Sequence, residues 1–178
     1  MAPFGPSRAE LLVVGLAPGL HGANRTGRPF TGDHAGILLY KTLHGQGFAS
    51  HEGSADPKDG LKLIGCRVTN AVKCLPPENK PLPDEVRQCN RYLAAEIAAV
   101  RPRAILALGA IAHRAVLMAL DLRPAAYRFA HHAVHDVPGA RLFDSYHCSR
   151  YNTQTKRLTE GMFGAVICDI ATFLRGTR

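Results

Sequence analysis

The sequence predicts an α/β protein, a three-layer α/β/α sandwich around a central four-stranded parallel sheet. Two observations lead to this fold class. Four short runs of apolar and β-branched residues have the length and composition of buried strands. Four longer segments with helical spacing of apolar residues alternate with them, as in parallel sheets that carry helices on both faces. A chain of 178 residues fits one domain, which we place at residues 1–178.

The first half of the chain supplies two strands and one helix. Residues 10–15 (ELLVVG) form an apolar run that stops at a glycine, which predicts a buried strand. Residues 34–46 carry apolar side chains at helical spacing and predict a helix. Residues 66–72 (CRVTNAV) alternate and are β-branched, so we expect a second strand there.

The second half continues the alternation. Residues 84–100 predict a helix whose apolar face includes Val86, Leu93 and Ile97. We expect strands at 103–108 (RAILAL) and 140–145 (ARLFDS), and helices at 109–120 and 158–174. Residues 121–138 show no clear period and are expected to be irregular.

Three polar loops follow strands of this predicted sheet. They span residues 16–34, 73–83 and 146–156, and all are rich in polar, glycine or proline residues. Ligands of open parallel sheets bind beyond the carboxyl ends of the strands, where such loops converge. The three loops therefore predict one common site.

The charge balance favours a polyanionic partner without proving one. The chain has 22 Lys and Arg against 14 Asp and Glu, a net charge of +8. This charge fits nucleic-acid binding, and it also fits a surface that is simply basic. No apolar run reaches the ~20 residues of a membrane span, and the first residues do not resemble a secretion signal. We expect a cytoplasmic monomer. We interpret its five cysteines as free thiols or metal ligands.

The first loop does not fit the common nucleotide-binding motifs. Residues 22–27 have the glycine spacing of a phosphate-binding loop, but Arg28 and Pro29 replace the required lysine and hydroxyl. Nucleotide hydrolysis is therefore disfavoured. Phe30 is either a core side chain or a platform for a ring, and Asp33 is either a helix cap or a functional carboxylate.

The second loop begins with an amide at a strand end. The Asn70 side chain can donate and accept hydrogen bonds together, which suits the edge of a planar base, but Asn also forms turns. Three basic residues lie nearby, namely Lys73, Lys80 and Arg87. They either neutralise phosphates or are simply solvated at the surface.

The last loop places His147 directly after a predicted strand. Ser149, Asn152 and Thr153 follow it, and such small donors suit phosphate oxygens. A lone histidine is usually structural, but these neighbours favour a chemical role. The histidines of residues 131–135 have no carboxylate or cysteine at zinc spacing, so a metal site there is disfavoured.

Three blocks together resemble the uracil-DNA glycosylase superfamily, and most closely its family 5. They are residues 15–33 (GLAPGLHGANRTGRPFTGD), 70–81 (NAVKCLPPENKP) and 145–158 (SYHCSRYNTQTKRL). The resemblance implies the uracil-DNA glycosylase fold. It also implies DNA repair by excision of a flipped, deaminated base, chiefly uracil, through hydrolysis of the N-glycosidic bond.

The resemblance also implies residue roles. Phe30 would stack on uracil, Asn70 would bind its Watson–Crick edge, and His147 would donate to O2 of the leaving base. Asp33 would position or activate water, and Asn79 would support the water or the DNA backbone. Gly15 and Ala17 would contribute to the base pocket. DNA contacts would come from Lys73, Ser149, Arg150 and Asn152.

Three departures from the family pattern matter. Relatives carry a [4Fe-4S] cluster on four cysteines, which the chemistry itself does not require. Cys74 and Cys89 match two of these ligands, but no cysteine precedes the first strand, so we expect less than one intact cluster per chain. Cys148 replaces a proline that often follows the motif histidine. Asn70 stands where many family 5 members have alanine, which puts activity on hypoxanthine in doubt.

Two other functions fit the sequence less well. One is a catalytically weak DNA-binding protein of the same fold. The other is a nucleotide-binding α/β protein that does not act on DNA.

Overall fold

A five-stranded sheet forms the centre of the molecule. The computed structural model describes residues 1–176, apart from the side chain of Asn79. The strands lie in the order β2-β1-β3-β5-β4. Their bounds are β1 Leu11–Gly15, β2 Cys66–Asn70, β3 Ala104–Leu108, β4 Val134–Val137 and β5 Ala140–Ser145. Strands β2, β1, β3 and β5 pair in parallel, which confirms the α/β fold class.

The fifth strand corrects the predicted strand count. Strand β4 lies in the segment that we expected to be irregular, and it pairs antiparallel with β5 at the sheet edge. Its signal is weak because it has four residues and mostly exposed or half-exposed side chains. Pro138 and Gly139 form the connecting turn, where Gly139 has a φ of 78°, a conformation that glycine adopts easily.

Six α-helices complete the fold. Their bounds are α1 Ala23–Thr26, α2 His34–Gly45, α3 Pro83–Val100, α4 Ala110–Ala119, α5 Arg150–Gln154 and α6 Glu160–Gly176. The short helices α1 and α5 fall inside predicted loops, and 3-10 turns lie at Pro77–Asn79 and Pro124–Ala126. No helix within residues 1–176 is long and apolar enough to cross a membrane.

The helices cover both faces of the sheet. Helices α2 and α6 share one apolar cluster that includes Leu39, Phe163 and Ile167, all fully buried. Helices α3 and α4 share a second cluster that includes Leu93 and Val116. Successive β1 residues belong alternately to the two clusters, because neighbouring side chains on a strand point to opposite faces. The three-layer arrangement is confirmed.

The strand register brings the predicted loops together. Gly15 at the end of β1 lies beside Asn70 at the end of β2. Strand β5 ends at Ser145, two residues before His147. All three strands end at the same edge, so their loops meet there.

Candidate active site

A cavity of about 440 Å³ lies at the carboxyl edge of the sheet. Residues from the first and last predicted loops line it, together with Asn70 at the end of β2, whereas no residue of the loop 73–83 does. The predicted site residues in the lining are Ala17, Phe30, Asp33, Asn70, His147, Ser149 and Arg150. The cavity therefore joins two of the three predicted loops with the end of β2, and the predicted contribution of residues 73–83 is not seen in its lining.

Gly15 makes room for the pocket wall. A Cβ atom at this position would lie 2.5 Å from Oδ1 of Asn70 and 2.5 Å from Cζ of Phe30. Real Cβ atoms do not approach other heavy atoms so closely. The amide and the aromatic ring can occupy their places only because residue 15 has no side chain.

Asn70 presents an unpaired hydrogen-bond acceptor. The residue is buried, with 2% of its surface exposed, and its Oδ1 has no hydrogen-bond partner in the protein. A buried, unpaired polar atom costs about 1–3 kcal/mol of folding free energy. Because Asn70 also lines the cavity, a ligand that donates a hydrogen bond would remove this cost. The arrangement favours the base-binding interpretation over a turn.

Phe30 and His147 form the aromatic side of the cavity. Their rings stack with centroids 6.0 Å apart and an angle of 26°. Phe30 belongs to the core cluster, and it also lines the cavity. Burial lowers the pKa of His147 to about 4, so its imidazole is neutral near pH 7. A neutral imidazole still offers one N–H donor.

The Phe30 backbone has a φ of 53°, which is unusual for a non-glycine residue. Two contacts hold the residues next to it. The Tyr40 hydroxyl donates to the Pro29 carbonyl at 2.8 Å. Arg28 is buried and pairs with Asp59 at 2.6 Å. The sequence predicted no role for Arg28, because its partner Asp59 lies 31 positions away in a segment with no helix or strand periodicity.

Asp33 caps helix α2 and also lines the cavity. Its Oδ1 accepts a hydrogen bond of 2.8 Å from the backbone N–H of Gly36. Its other oxygen lies on the side of Gly19 and Gly22, where a Cβ on Gly22 would come within 2.8 Å. Burial raises the pKa of Asp33, although the hydrogen bond to Gly36 opposes the rise. The cap interpretation is thus observed, and it leaves one carboxylate oxygen for chemistry.

The last loop is held together internally. The Ser149 hydroxyl accepts from the backbone N–H of Asn152 and caps α5. Asn152 in turn donates from Nδ2 to the His147 carbonyl at 2.8 Å. Thr153 lies 2.9 Å from His34 Nε2, which joins this loop to the start of α2. Arg150 is exposed at the cavity rim.

Two predicted residues lie elsewhere. The Lys73 ammonium donates to Glu96 at 3.1 Å and to Thr69 at 2.6 Å, and Lys73 does not line the cavity. Asn79 lies in the 3-10 turn at Pro77–Asn79, and its side chain is outside the described part of the structure.

The cysteines do not form a four-thiolate set. Cys74 is exposed after β2, and Cys89 packs against the core formed by α3 and α4. Cys66 and Cys148 are buried in the opposite core layer. Burial raises the pKa of both thiols, that of Cys148 to about 12, whereas cluster ligands are thiolates. Cys74 and Cys89 therefore remain the two candidate cluster ligands among the described residues.

A cavity with an aromatic wall and a side-chain amide suits proteins that bind a planar heterocycle. Residues 2–171 match the family model described as the uracil DNA glycosylase superfamily. The chain belongs to this superfamily, as its three sequence blocks predicted.

Relatives within the superfamily extend over most of the chain. A type-5 uracil-DNA glycosylase of Thermus thermophilus is 49% identical over 93% of this chain and 76% of its own length. A type-5 enzyme of Pyrobaculum aerophilum is 45% identical over 88% of this chain and 69% of its own. A type-5 enzyme of Mycobacterium bovis is 44% identical, and the match covers 61% of that protein.

Proposed function

We propose that this protein is a DNA-repair glycosylase that excises uracil and leaves an abasic site. The observation that carries the proposal is Asn70, which lines a cavity walled by Phe30 and whose buried Oδ1 has no hydrogen-bond partner in the protein. Uracil presents an N–H beside a carbonyl on its Watson–Crick edge. Relatives named as type-5 uracil-DNA glycosylases cover most of the chain and support the same substrate.

Base recognition follows from the wall residues. Asn70 accepts from N3–H of uracil with Oδ1 and donates from its amide NH₂ to O4. Phe30 stacks on the ring, and Gly15 leaves the space that these two side chains need. Cytosine reverses the donor and acceptor at these positions, so it is rejected by unpaired polar groups.

His147 stabilises the leaving base. Breaking the N-glycosidic bond leaves negative charge on uracil, and an N–H donor near O2 stabilises that charge. Removal of one such donor typically costs about 3 kcal/mol of transition-state stabilisation. Because burial keeps the imidazole neutral, His147 acts as a hydrogen-bond donor and brings no full positive charge.

Asp33 acts on the sugar side of the reaction. One carboxylate oxygen is fixed by the Gly36 N–H, which orients the other. A carboxylate there favours the developing positive charge on the sugar and holds the attacking water. Asn79 is assigned to support this water or the DNA backbone.

DNA contacts are assigned to the cavity rim and to the basic surface. Arg150 is exposed there and carries a charge suited to phosphate, with Ser149 beside it. Lys73 and Asn152 remain candidates, although their polar groups already have partners inside the protein. Members of this family need no cofactor for catalysis. We assign the protein as a monomer that acts in the cytoplasm.

The test is release of free uracil from a labelled oligonucleotide. The intact protein should release uracil, and His147→Ala should keep DNA affinity but lose activity by about 100-fold or more. DNA binding without uracil release would support the weak DNA-binding protein instead. Nucleotide binding without salt-sensitive DNA binding would support the nucleotide-binding alternative.

A further inference from the structure

Three side chains of the types that bind metal ions lie together outside the cavity, namely His113 of helix α4, His135 of strand β4 and Asp144 of strand β5. Asp144 of β5 lies between two histidines. Its Oδ1 is 2.8 Å from Nδ1 of His113, and its Oδ2 is 3.2 Å from Nε2 of His135. The donor atoms of the three residues lie within 4.8 Å of one another. The sequence suggested no carboxylate or cysteine at zinc spacing from these histidines, because Asp144 is nine positions from His135 and His113 is further away.

Both ring nitrogens of His113 face hydrogen-bond acceptors. Its Nδ1 faces the Asp144 carboxylate, and its Nε2 faces the Tyr127 carbonyl at 2.9 Å. Both partners accept hydrogen bonds, but a neutral imidazole has only one N–H. Two of the arrangements that satisfy both contacts bring a positive charge to the cluster. Either the ring carries a second proton, or Nε2–H donates to Tyr127 while the lone pair on Nδ1 binds a metal ion shared with Asp144.

The second arrangement is common at metal sites. A histidine that binds a metal usually donates its other ring N–H to a carbonyl or carboxylate, which fixes the tautomer. Tyr127 provides that carbonyl here. The 3.2 Å contact between Asp144 Oδ2 and His135 Nε2 is near the separation of roughly 3.3 Å expected for two ligands about 2.0–2.1 Å from one tetrahedral ion, whereas the 2.8 Å contact of His113 is shorter.

The buried surroundings of the Asp144 carboxylate favour a compensating positive charge. Asp144 is fully buried, and it is the one buried carboxylate within residues 1–176. No Lys or Arg side chain in this part of the chain hydrogen-bonds to it. The rings of Phe129 and Tyr127 lie against His113 and His135 and shield the cluster.

We propose that His113, His135 and Asp144 bind one divalent metal ion of the zinc class. Two imidazoles and a carboxylate are ligands that zinc accepts readily. The ion would join helix α4 and edge strand β4 to strand β5. Strand β4 pairs only with β5, so such a link has a structural purpose. The inference does not depend on the proposed glycosylase activity.

The test is zinc binding by the whole protein. Chelator-treated protein with Cys74→Ser and Cys168→Ser, which remove the two exposed thiols, is titrated with zinc chloride and then dialysed for metal analysis. About one zinc per chain should bind. At a zinc concentration about 100 times Kd, Tm should rise by roughly 5–10 °C, whereas magnesium should have no such effect.

Two variants in the same background locate the site. His135→Gln removes one ligand and should weaken zinc binding at least 10-fold. Loss of even a residue that only supports a metal ligand typically weakens metal binding by about 10–100-fold. His132→Gln is the matched control, because His132 lies nearby but pairs with Asp169. Binding of less than about 0.2 zinc per chain, or equal zinc affinity in both variants, would overturn the proposal. If His135→Gln does not fold, the stoichiometry and Tm shift of the parent protein decide alone.

Discussion

The side-chain amide of Asn152 donates a hydrogen bond of 2.8 Å to the backbone carbonyl of His147. Asn152 lies on helix α5, which is capped by Ser149, so the cap, the helix and the histidine form one rigid unit. The structure therefore relates Asn152 to the position of the leaving-group donor, beyond the DNA contact predicted for it.

Asn152→Ala should lower kcat by roughly 10–100-fold with a small change in KM, because a displaced His147 misses the transition state. Arg150→Ala is the contrasting variant. It removes an exposed charge and should raise KM and reduce the salt dependence of DNA binding. Steady-state kinetics at two salt concentrations separate the two. A change only in KM for Asn152→Ala would assign this residue to DNA binding.

Gly15→Ala should reduce uracil excision by about 100-fold or more. The added Cβ would meet both Asn70 and Phe30 at 2.5 Å, so the base-binding wall must shift. Gly45→Ala is the matched control, since no heavy atom lies within 4 Å of a Cβ there. Single-turnover rates for both variants provide the comparison, and an unchanged rate in Gly15→Ala would contradict the pocket assignment.

Asn70→Asp should weaken uracil excision and favour cytosine, which presents a donor where uracil has O4. The substituted side chain loses the NH₂ donor and keeps acceptors. Excision from oligonucleotides containing U or C measures the preference. Asn24→Asp introduces the same charge change at an exposed site and should leave the preference unaltered. An unchanged U:C ratio in Asn70→Asp would remove Asn70 from base recognition.

The acid stability of the protein should depend on His147. Its pKa is lowered to about 4 in the folded protein from 6.5, so the unfolded chain binds the proton more readily. Stability is therefore full above pH 6.5 and falls as the pH drops towards 4, by up to about 3 kcal/mol for this group. Urea unfolding from pH 7.5 to 4.5 should show a smaller loss in His147→Leu than in the parent. Equal losses would show that His147 is not held neutral.

The sequence predicted the parallel sheet and the converging loops because both depend on local patterns and strand order. Asp33, Asn70 and His147 could be singled out because each lies at or near the end of a strand or the start of a helix, whereas Phe30 was singled out within the first loop and the roles of all four came from the resemblance. Strand β4 was missed because four half-exposed residues leave little periodic signal. The cluster of His113, His135 and Asp144 was missed because pairing of β4 with β5 creates it. Contacts between distant positions, such as Arg28 with Asp59, have no local signal either.

The iron content of the chain is the last prediction, and it follows from counting ligands. Cys74 and Cys89 supply two candidate thiolates, while Cys66 and Cys148 are buried with raised pKa values in the opposite core layer. Cys168 is exposed on α6. A [4Fe-4S] cluster needs four thiolates, so these 178 residues should hold well under four irons per chain after anaerobic purification. Iron analysis and the visible spectrum check this, with Cys74→Ser as the comparison. About four irons per chain, lost in Cys74→Ser, would show that a buried thiol moves to complete the site.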